Sequence, residues 1–208
     1  MPLANRVTPL GEIVAAPWRG SLMGNRGILH DAGRRLGVAR WRHRTWIACV
    51  LAFRGRRRAV MAPGRYTELF FWDEACALAA GHRPCHECRR ADARRFRTAW
   101  GAAGLPGATA AEIDRVLHAA RVTRERRQVT HEAELADMPD GVFLALPESP
   151  LAPLLKWRGS LWRWSGDGYA QAGPARRGTV RVLTPAPIVA AIGAGYLPAV
   201  RLAGAPIS

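Results

Sequence analysis

The sequence lacks any apolar run near the ~18 residues that a membrane span requires, and Met1 to Pro17 contains no apolar stretch of signal-peptide length. These absences predict a soluble, cytoplasmic protein without a membrane partner. Cysteine is also scarce, at four in 208 residues. Because the cytoplasm keeps thiols reduced, these cysteines are expected to be metal ligands or redox thiols rather than a disulfide framework.

Lysine and acidic residues are rare as well. Lys156 is the only lysine among 31 basic residues, and 16 acidic residues leave a formal net charge of +15. The planar guanidinium of arginine suits bidentate contacts to phosphate, and so high a positive charge is typical of nucleic-acid-binding proteins. We therefore predict a nucleic-acid partner, DNA in the first place, or a phosphorylated ligand. The alternative is a basic surface that only keeps the protein soluble.

A hydrophobic content of 49% excludes a disordered chain, and the succession of helix-like and strand-like segments predicts an α+β fold. We expect three regions: a zinc-binding region over residues 1–104, a helical connection over residues 105–136 and a β-rich C-terminal region over residues 137–208. The three regions together can also form one compact unit. Within the first region, the pattern predicts a strand from Thr45 with residues 58–61 as its hairpin partner, then a helix over 73–80 that ends at Gly81 and a helix from about Arg89 to Trp100. Helical spacing resumes over residues 110–127.

The pair Cys85 and Cys88, at Cys-x-x-Cys spacing just beyond a predicted helix end, indicates a metal-binding knuckle. Two thiolates are half of a tetrahedral site, and the spacing favours one zinc ion. Cys49, at the end of the predicted strand, is the best third ligand. The fourth position stays open between several candidates, namely His30, His43, His82, Cys76 and a water molecule.

The run from Phe70 to Arg89 resembles the zinc-binding module of the Ada-type alkylated-DNA repair proteins. An aromatic pair, a helix ending in Ala-Ala-Gly and then Arg-Pro-Cys-x-x-Cys-Arg recur there in similar register, and residues 44–49 resemble the strand that ends in that family's methyl-accepting cysteine. The resemblance covers residues 44–90. It implies a small fold of hairpin, helix, knuckle and helix, with Cys49, Cys85 and Cys88 as three of the four thiolate ligands.

The sequence departs from that family where a second cysteine is expected a few residues beyond the first, because no cysteine follows Cys49 before Cys76. A three-thiolate site carries less negative charge than a four-thiolate site, which makes its sulfurs weaker nucleophiles toward a methyl phosphotriester. The resemblance therefore implies the knuckle fold more directly than it implies methyl transfer.

Three hypotheses for function follow. The first is a zinc-containing DNA-binding protein of DNA repair or damage response, which contacts phosphates through arginines near the knuckle: Arg56, Arg57, Arg58, Arg89 and Arg90. The second is a hydrolase or transferase acting on nucleotides or nucleic acid, with the metal or a set of candidate side chains as its catalytic group: Cys49, His30, His118 and His131. The third is a structural zinc domain that contacts another protein.

Overall fold

The computed structural model describes residues 1–56, 59–175 and 177–202 and shows an α+β fold with two sheets, which confirms the predicted class. The strands of the first sheet are β1 (Ala4–Val7), β2 (Ile13–Ala15), β3 (Leu22–Asn25), β4 (Ile47–Val50), β5 (Leu69–Phe71) and β6 (Arg83–Pro84). They lie in the order β2-β1-β5-β3-β4-β6. The β1–β5 and β4–β6 pairs are parallel, and the other neighbours are antiparallel.

The second sheet is antiparallel, and five of its six strands lie within residues 137–208, which were predicted to be β-rich, whereas its first strand lies within the predicted helical connection. Its strands are β7 (His131–Glu134), β8 (Phe143–Ala145), β9 (Leu154–Trp157), β10 (Ser160–Trp164), β11 (Tyr169–Pro174) and β12 (Thr179–Val182). The order is β11-β10-β9-β8-β12-β7. Consecutive hairpins therefore join β8 to β11, and β12 returns beside β8.

The described part of the chain also contains four α-helices: α1 (Glu74–Ala79), α2 (Arg90–Ala102), α3 (Ala110–Arg121) and α4 (Ala186–Gly193). Asp73 caps α1, and Gly81 follows its end in the left-handed region with φ +79°, as the sequence predicts. Helix α3 ends at Arg121, before the predicted 127, because Val122 is extended and bridges to Gln128. No described helix is long and apolar enough to cross a membrane.

Helix α1 lies between the two sheets and is buried on every side. Its alanine-rich sequence suits this position, because small side chains allow both sheets to approach the helix closely. Phe71 of the first sheet and Phe143 of the second belong to the same apolar core as Ala75 and Ala79 of the helix. The core is therefore shared between residues 1–104 and residues 137–208.

A second core lies on the opposite face of the C-terminal sheet. There Leu144 of β8 packs with side chains from α2, α3 and α4, among them Trp100, Leu117 and Ile188. Strand β8 is buried on both faces, because Phe143 and Ala145 face the first core and Leu144 faces the second. This explains why residues 142–146 form a continuous apolar run instead of an alternating one.

The predicted hairpin between the strand at Thr45 and residues 58–61 is wrong over its described part. Residues 59–61 form no strand, and Met61 has a positive φ of 53° within a turn. The neighbours of β4 are β3 and β6. Gly24 of β3 makes this pairing possible, because a Cβ there would lie 2.3 Å from the carbonyl oxygen of Ile47 and 2.9 Å from the Phe71 ring.

A buried ion pair connects the strand before the knuckle to helix α3. Arg83 of β6 donates two hydrogen bonds of 2.8 Å to the carboxylate of Asp114, and both side chains are almost inaccessible to solvent. Two parallel N–H···O bonds hold the guanidinium and the carboxylate in one geometry. This pair therefore sets the position of β6, and with it the first residue of the cysteine loop.

We expect Asp114→Ala to destabilise the protein by about 3–5 kcal/mol, because it leaves the Arg83 charge buried without its partner. Urea unfolding followed by circular dichroism measures the change. The control is Asp31→Ala, which removes an ion pair to Arg35 that is largely exposed and should leave the unfolding midpoint nearly unchanged. Equal effects of the two substitutions would contradict the role given to Asp114.

Candidate metal centre

Strand β4 presents different side chains to the two faces of its sheet. Ile47 and Cys49 line a pocket on one face, whereas Trp46, directly before the strand, lines a second pocket and Ala48 enters the first core. This follows from the alternation of side chains along a strand. The first pocket, which we call the cysteine pocket, contains the predicted metal ligands.

The three predicted ligands come together in the structure. Cys49 lies in β4, and Cys85 and Cys88 lie in the loop between β6 and α2. The parallel pairing of Ala48 with Pro84 brings the two strand ends side by side, and the Cys85 N–H donates to the Ala48 carbonyl at 3.0 Å. As a result, the three sulfur atoms all lie within 4.8 Å of one another.

Hydrogen bonds stabilise the thiolate form of Cys85. A hydrogen bond from the Cys49 thiol and the backbone N–H groups of Glu87 and Cys88 lower the pKa of Cys85 to about 5. The same sulfur contact raises the pKa of Cys49, and burial raises that of Cys88. The Glu87 N–H lies 3.4 Å from the Cys85 sulfur. The loop thus has the N–H groups that a thiolate, and a metal-bound thiolate in particular, requires.

The arrangement fits a zinc ion. Zinc bonds to thiolate sulfur at about 2.3 Å, which places the sulfurs of a tetrahedral site roughly 3.8 Å apart. The observed cluster is compatible with this spacing. Among the described residues, no fourth cysteine, histidine, aspartate or glutamate joins the group. Three protein ligands leave one position of a tetrahedral ion for an external ligand.

All three cysteines line the cysteine pocket, a cavity of about 410 Å³. Its walls are largely apolar, with Met23, Phe53 and Phe70 among them. Arg56 and Glu87 form an exposed ion pair of 2.7 Å and also line the pocket. The volume lies in the range of small-molecule sites.

The other candidates for the fourth ligand have partners elsewhere. The His30 ring nitrogen contacts the Thr67 hydroxyl at 2.7 Å, and His43 contacts the Asn25 side chain at 2.8 Å. His82 is buried and contacts the Ala80 carbonyl at 3.1 Å. The Cys76 sulfur is buried in the core at 3.6 Å from the Tyr169 hydroxyl, where it packs as a small apolar side chain.

The structure does not group the candidate catalytic histidines with the cysteines. His118 of α3 packs edge-on against Trp41 and Trp46, and His131 begins β7 on the other sheet. His30 lies beside Thr67, as described above. None of the three lines the cysteine pocket. Of the side chains proposed as catalytic groups, Cys49 alone lies there.

The predicted phosphate-binding arginines have different environments. Arg56 is exposed and paired with Glu87, and Arg90 is exposed at the start of α2. Arg89 is buried, with its guanidinium 2.7 Å from Glu74 and 2.8 Å from Asp92, so it holds the end of the cysteine loop against α1. Arg57 and Arg58 lie outside the described residues.

Sequence reasoning missed an arginine groove beside the knuckle. Arg90, Arg94 and Arg97 lie on one face of α2, are exposed, and line a cavity of about 330 Å³ together with His86 of the cysteine loop. Arg83 also lines it. No acidic residue is among its described lining residues. The sequence signal for this helix face was the spacing of its arginines, since residues four and three positions apart lie on the same side of a helix.

The walls of the cysteine pocket were also missed, since Met23 and Asn25 come from β3 and Tyr66 and Glu68 precede β5. Their contribution depends on strand pairing between segments far apart in the chain.

Comparison with protein-family profiles, with curated proteins and with solved structures finds no match to this chain. The site therefore has to be interpreted from its own geometry.

We expect the purified protein to contain one zinc ion per chain and Cys88→Ser to lose it, because two thiolates cannot hold zinc as tightly as three. Elemental analysis after dialysis measures this. Cys76→Ala is the matched control, since it removes a thiol outside the cluster and should keep the zinc. Loss of zinc in the control, or full retention in Cys88→Ser, would contradict the assignment.

Proposed function

We propose that this protein is a zinc-dependent enzyme acting on nucleic acid, in which Cys49, Cys85 and Cys88 hold one zinc ion whose fourth position faces the cysteine pocket. The observation that carries the proposal is a three-cysteine cluster that lines an open cavity. A purely structural zinc site is closed by four protein ligands, whereas a catalytic site keeps one position for water or substrate.

The ligand set favours an electrophilic or water-activating metal. Three thiolates leave the zinc complex with a single net negative charge, one fewer than four thiolates would give, so its sulfurs are less nucleophilic. A zinc ion held by the three cysteines would act as a Lewis acid that lowers the pKa of a bound water molecule or polarises a substrate oxygen. The protein's own residues supply the apolar walls that exclude bulk water and the N–H groups that hold Cys85 as a thiolate.

The arginine groove supports nucleic acid as the substrate class. His86 lies in the loop between the two metal ligands Cys85 and Cys88 and also lines this groove, so the groove and the cysteine pocket meet at the same loop. Arg90, Arg94 and Arg97 lie along one helix face and form no ion pair with a described acidic residue, and their spacing suits successive phosphates. A strand held on this groove would bring a neighbouring nucleotide to the pocket.

A second candidate is transfer of an alkyl group to Cys49, which the resemblance to the Ada-type module suggests. The specific observation in its favour is that Cys49 lines the open pocket instead of being enclosed. Incubation with methylphosphotriester DNA followed by peptide mass analysis tests it. Addition of one methyl group to Cys49 would support alkyl transfer over metal-activated hydrolysis.

X-ray absorption at the zinc edge tests the open position. We expect three sulfur neighbours at about 2.3 Å and one oxygen or nitrogen neighbour at about 2.0 Å. Addition of a small thiol ligand such as mercaptoethanol should convert the light neighbour to sulfur, because the fourth position is accessible. Four sulfur neighbours in the untreated protein would contradict the proposal and indicate a closed structural site.

Substitution of Arg90, Arg94 and Arg97 by glutamine should weaken DNA binding and reduce its salt dependence. Each lost phosphate contact lowers the slope of log K against log salt concentration by about 0.7–0.9. Fluorescence anisotropy with a labelled oligonucleotide at several salt concentrations measures both quantities.

The matched control removes the same number of charges from exposed positions away from the groove: Arg34, Arg158 and Arg163. This triple variant should retain most of the affinity. If both triple variants lose affinity equally, binding depends on net charge alone and the groove has no special role. Absence of DNA binding by the unmodified protein at low salt would reject nucleic acid as the partner.

A further inference from the structure

A second pocket lies on the other face of β4 and contains two buried arginines. Arg26 and Arg121 have exposed fractions of 2% and 1%, and the guanidinium carbon of each lies 4.0 Å from the ring centroid of Trp46. Both arginines and Trp46 line a cavity of about 560 Å³, which we call the arginine pocket. No part of the proposed zinc chemistry uses these groups.

The two guanidiniums have carbonyl and histidine partners but no carboxylate. Arg121 donates to the carbonyl oxygen of Gly81 at 2.8 Å and to that of Arg44, and its Nε is buried without a hydrogen-bond partner. Arg26 makes three long contacts of 3.4–3.5 Å, to the Gly11 and Ala80 carbonyls and to His82. Neither forms an ion pair with any described acidic residue.

These contacts leave the two buried guanidiniums without an ion-pair partner among the described acidic residues. The nearby buried carboxylate, Asp114, accepts two hydrogen bonds from Arg83 instead. Stacking on Trp46 offsets only part of the free-energy cost of burying an unpaired charge. Natural proteins rarely bury an unpaired charge unless a ligand supplies the missing partner, so the deficit itself points to an anion.

The surroundings of the arginine pocket are also positively charged. Arg40, Arg126 and Arg127 also line it, and Glu12 is the one acidic residue among its described lining residues. Burial, followed by the charges of Arg121 and Arg44, lowers the pKa of the neighbouring His118 to about 4. Burial and the charges of Arg26 and Arg121 also hold the pKa of His82 well below its usual range. These histidines therefore stay neutral at physiological pH, and the arginines alone carry the charge.

We propose that the arginine pocket binds a small molecule through a phosphate group, which Arg26 and Arg121 contact from below and Arg126 and Arg127 contact at the mouth. A phosphate group carries up to two negative charges and three acceptor oxygens, and it therefore matches two buried guanidiniums better than a single carboxylate does. The cavity volume lies in the range of small-molecule sites. Leu10, Ile13 and Val122 supply apolar walls for the organic part of such a ligand.

Isothermal titration with inorganic pyrophosphate at constant ionic strength tests the proposal, with citrate as the carboxylate probe. We expect one saturable pyrophosphate site per chain, weaker binding of citrate, and a rise in the thermal midpoint of unfolding with pyrophosphate, because a ligand that binds only the folded state stabilises it. Arg26→Gln should weaken pyrophosphate binding at least about tenfold, since it removes a charge-assisted hydrogen-bond donor.

A second variant keeps the test valid if Arg26→Gln fails to fold, as judged by circular dichroism and zinc content. Arg127→Gln changes an exposed residue at the mouth and should weaken pyrophosphate binding about threefold to tenfold. Arg124→Gln is the matched control, because Arg124 is exposed, lies nearby in the chain and does not line the pocket.

Three outcomes would overturn the proposal. They are no saturable pyrophosphate binding by the unmodified protein, equal weakening by Arg124→Gln and Arg127→Gln, and tighter binding of citrate than of pyrophosphate. The first would show that the buried arginines only support the fold through the Gly81 and Arg44 carbonyls. The second would indicate a nonspecific response to net charge, and the third would identify a carboxylate ligand.

Discussion

Burial of helix α1 between the two sheets is the constraint on which the rest of the structure depends. The helix starts with two buried acids, and both are satisfied by distant parts of the chain. Asp73 accepts hydrogen bonds from the Tyr169 hydroxyl at 2.8 Å and from the Arg201 backbone at 3.0 Å, and Glu74 pairs with Arg89 at 2.7 Å. Because a buried carboxylate without partners is costly, these bonds connect the helix to both halves of the protein.

The same helix positions the three-cysteine cluster. Its C-terminal end turns at Gly81, passes through the Arg83–Pro84 strand and reaches Cys85 within a few residues. Arg89, at the other end of the cysteine loop, returns to Glu74 at the helix start. The loop is thus held at both ends by one buried helix, which is the kind of support that keeps metal ligands in place. The third cysteine joins through pairing of β4 with β6.

The parts of the fold and of the site that depend on neighbouring residues were predictable from the sequence. The α1 helix, its stop at Gly81 and the Cys-x-x-Cys knuckle depend on residues adjacent in the chain, and Cys49 followed from the need for further thiolate ligands. Strand pairing was not predictable in the same way. Gly24 permits β3 to lie beside β4, but a glycine between Met23 and Asn25 reads equally well as a turn. The sequence did not predict a role for Arg26 and Arg121, because only the folded chain places both guanidiniums over the Trp46 ring.

The absent fourth cysteine is explained most simply by the shape of the cysteine pocket. The segment that follows Cys49 places Leu51 and Phe53 in the pocket wall and Arg56 in an ion pair with Glu87. An apolar wall cannot ligate a metal, but it can exclude water and hold an organic ligand. Three thiolates instead of four would give a bound metal a less negative and more open site. In the function we propose, a zinc ion held there next to a row of arginines would polarise a bound substrate, whereas a closed four-thiolate site would only stabilise the fold.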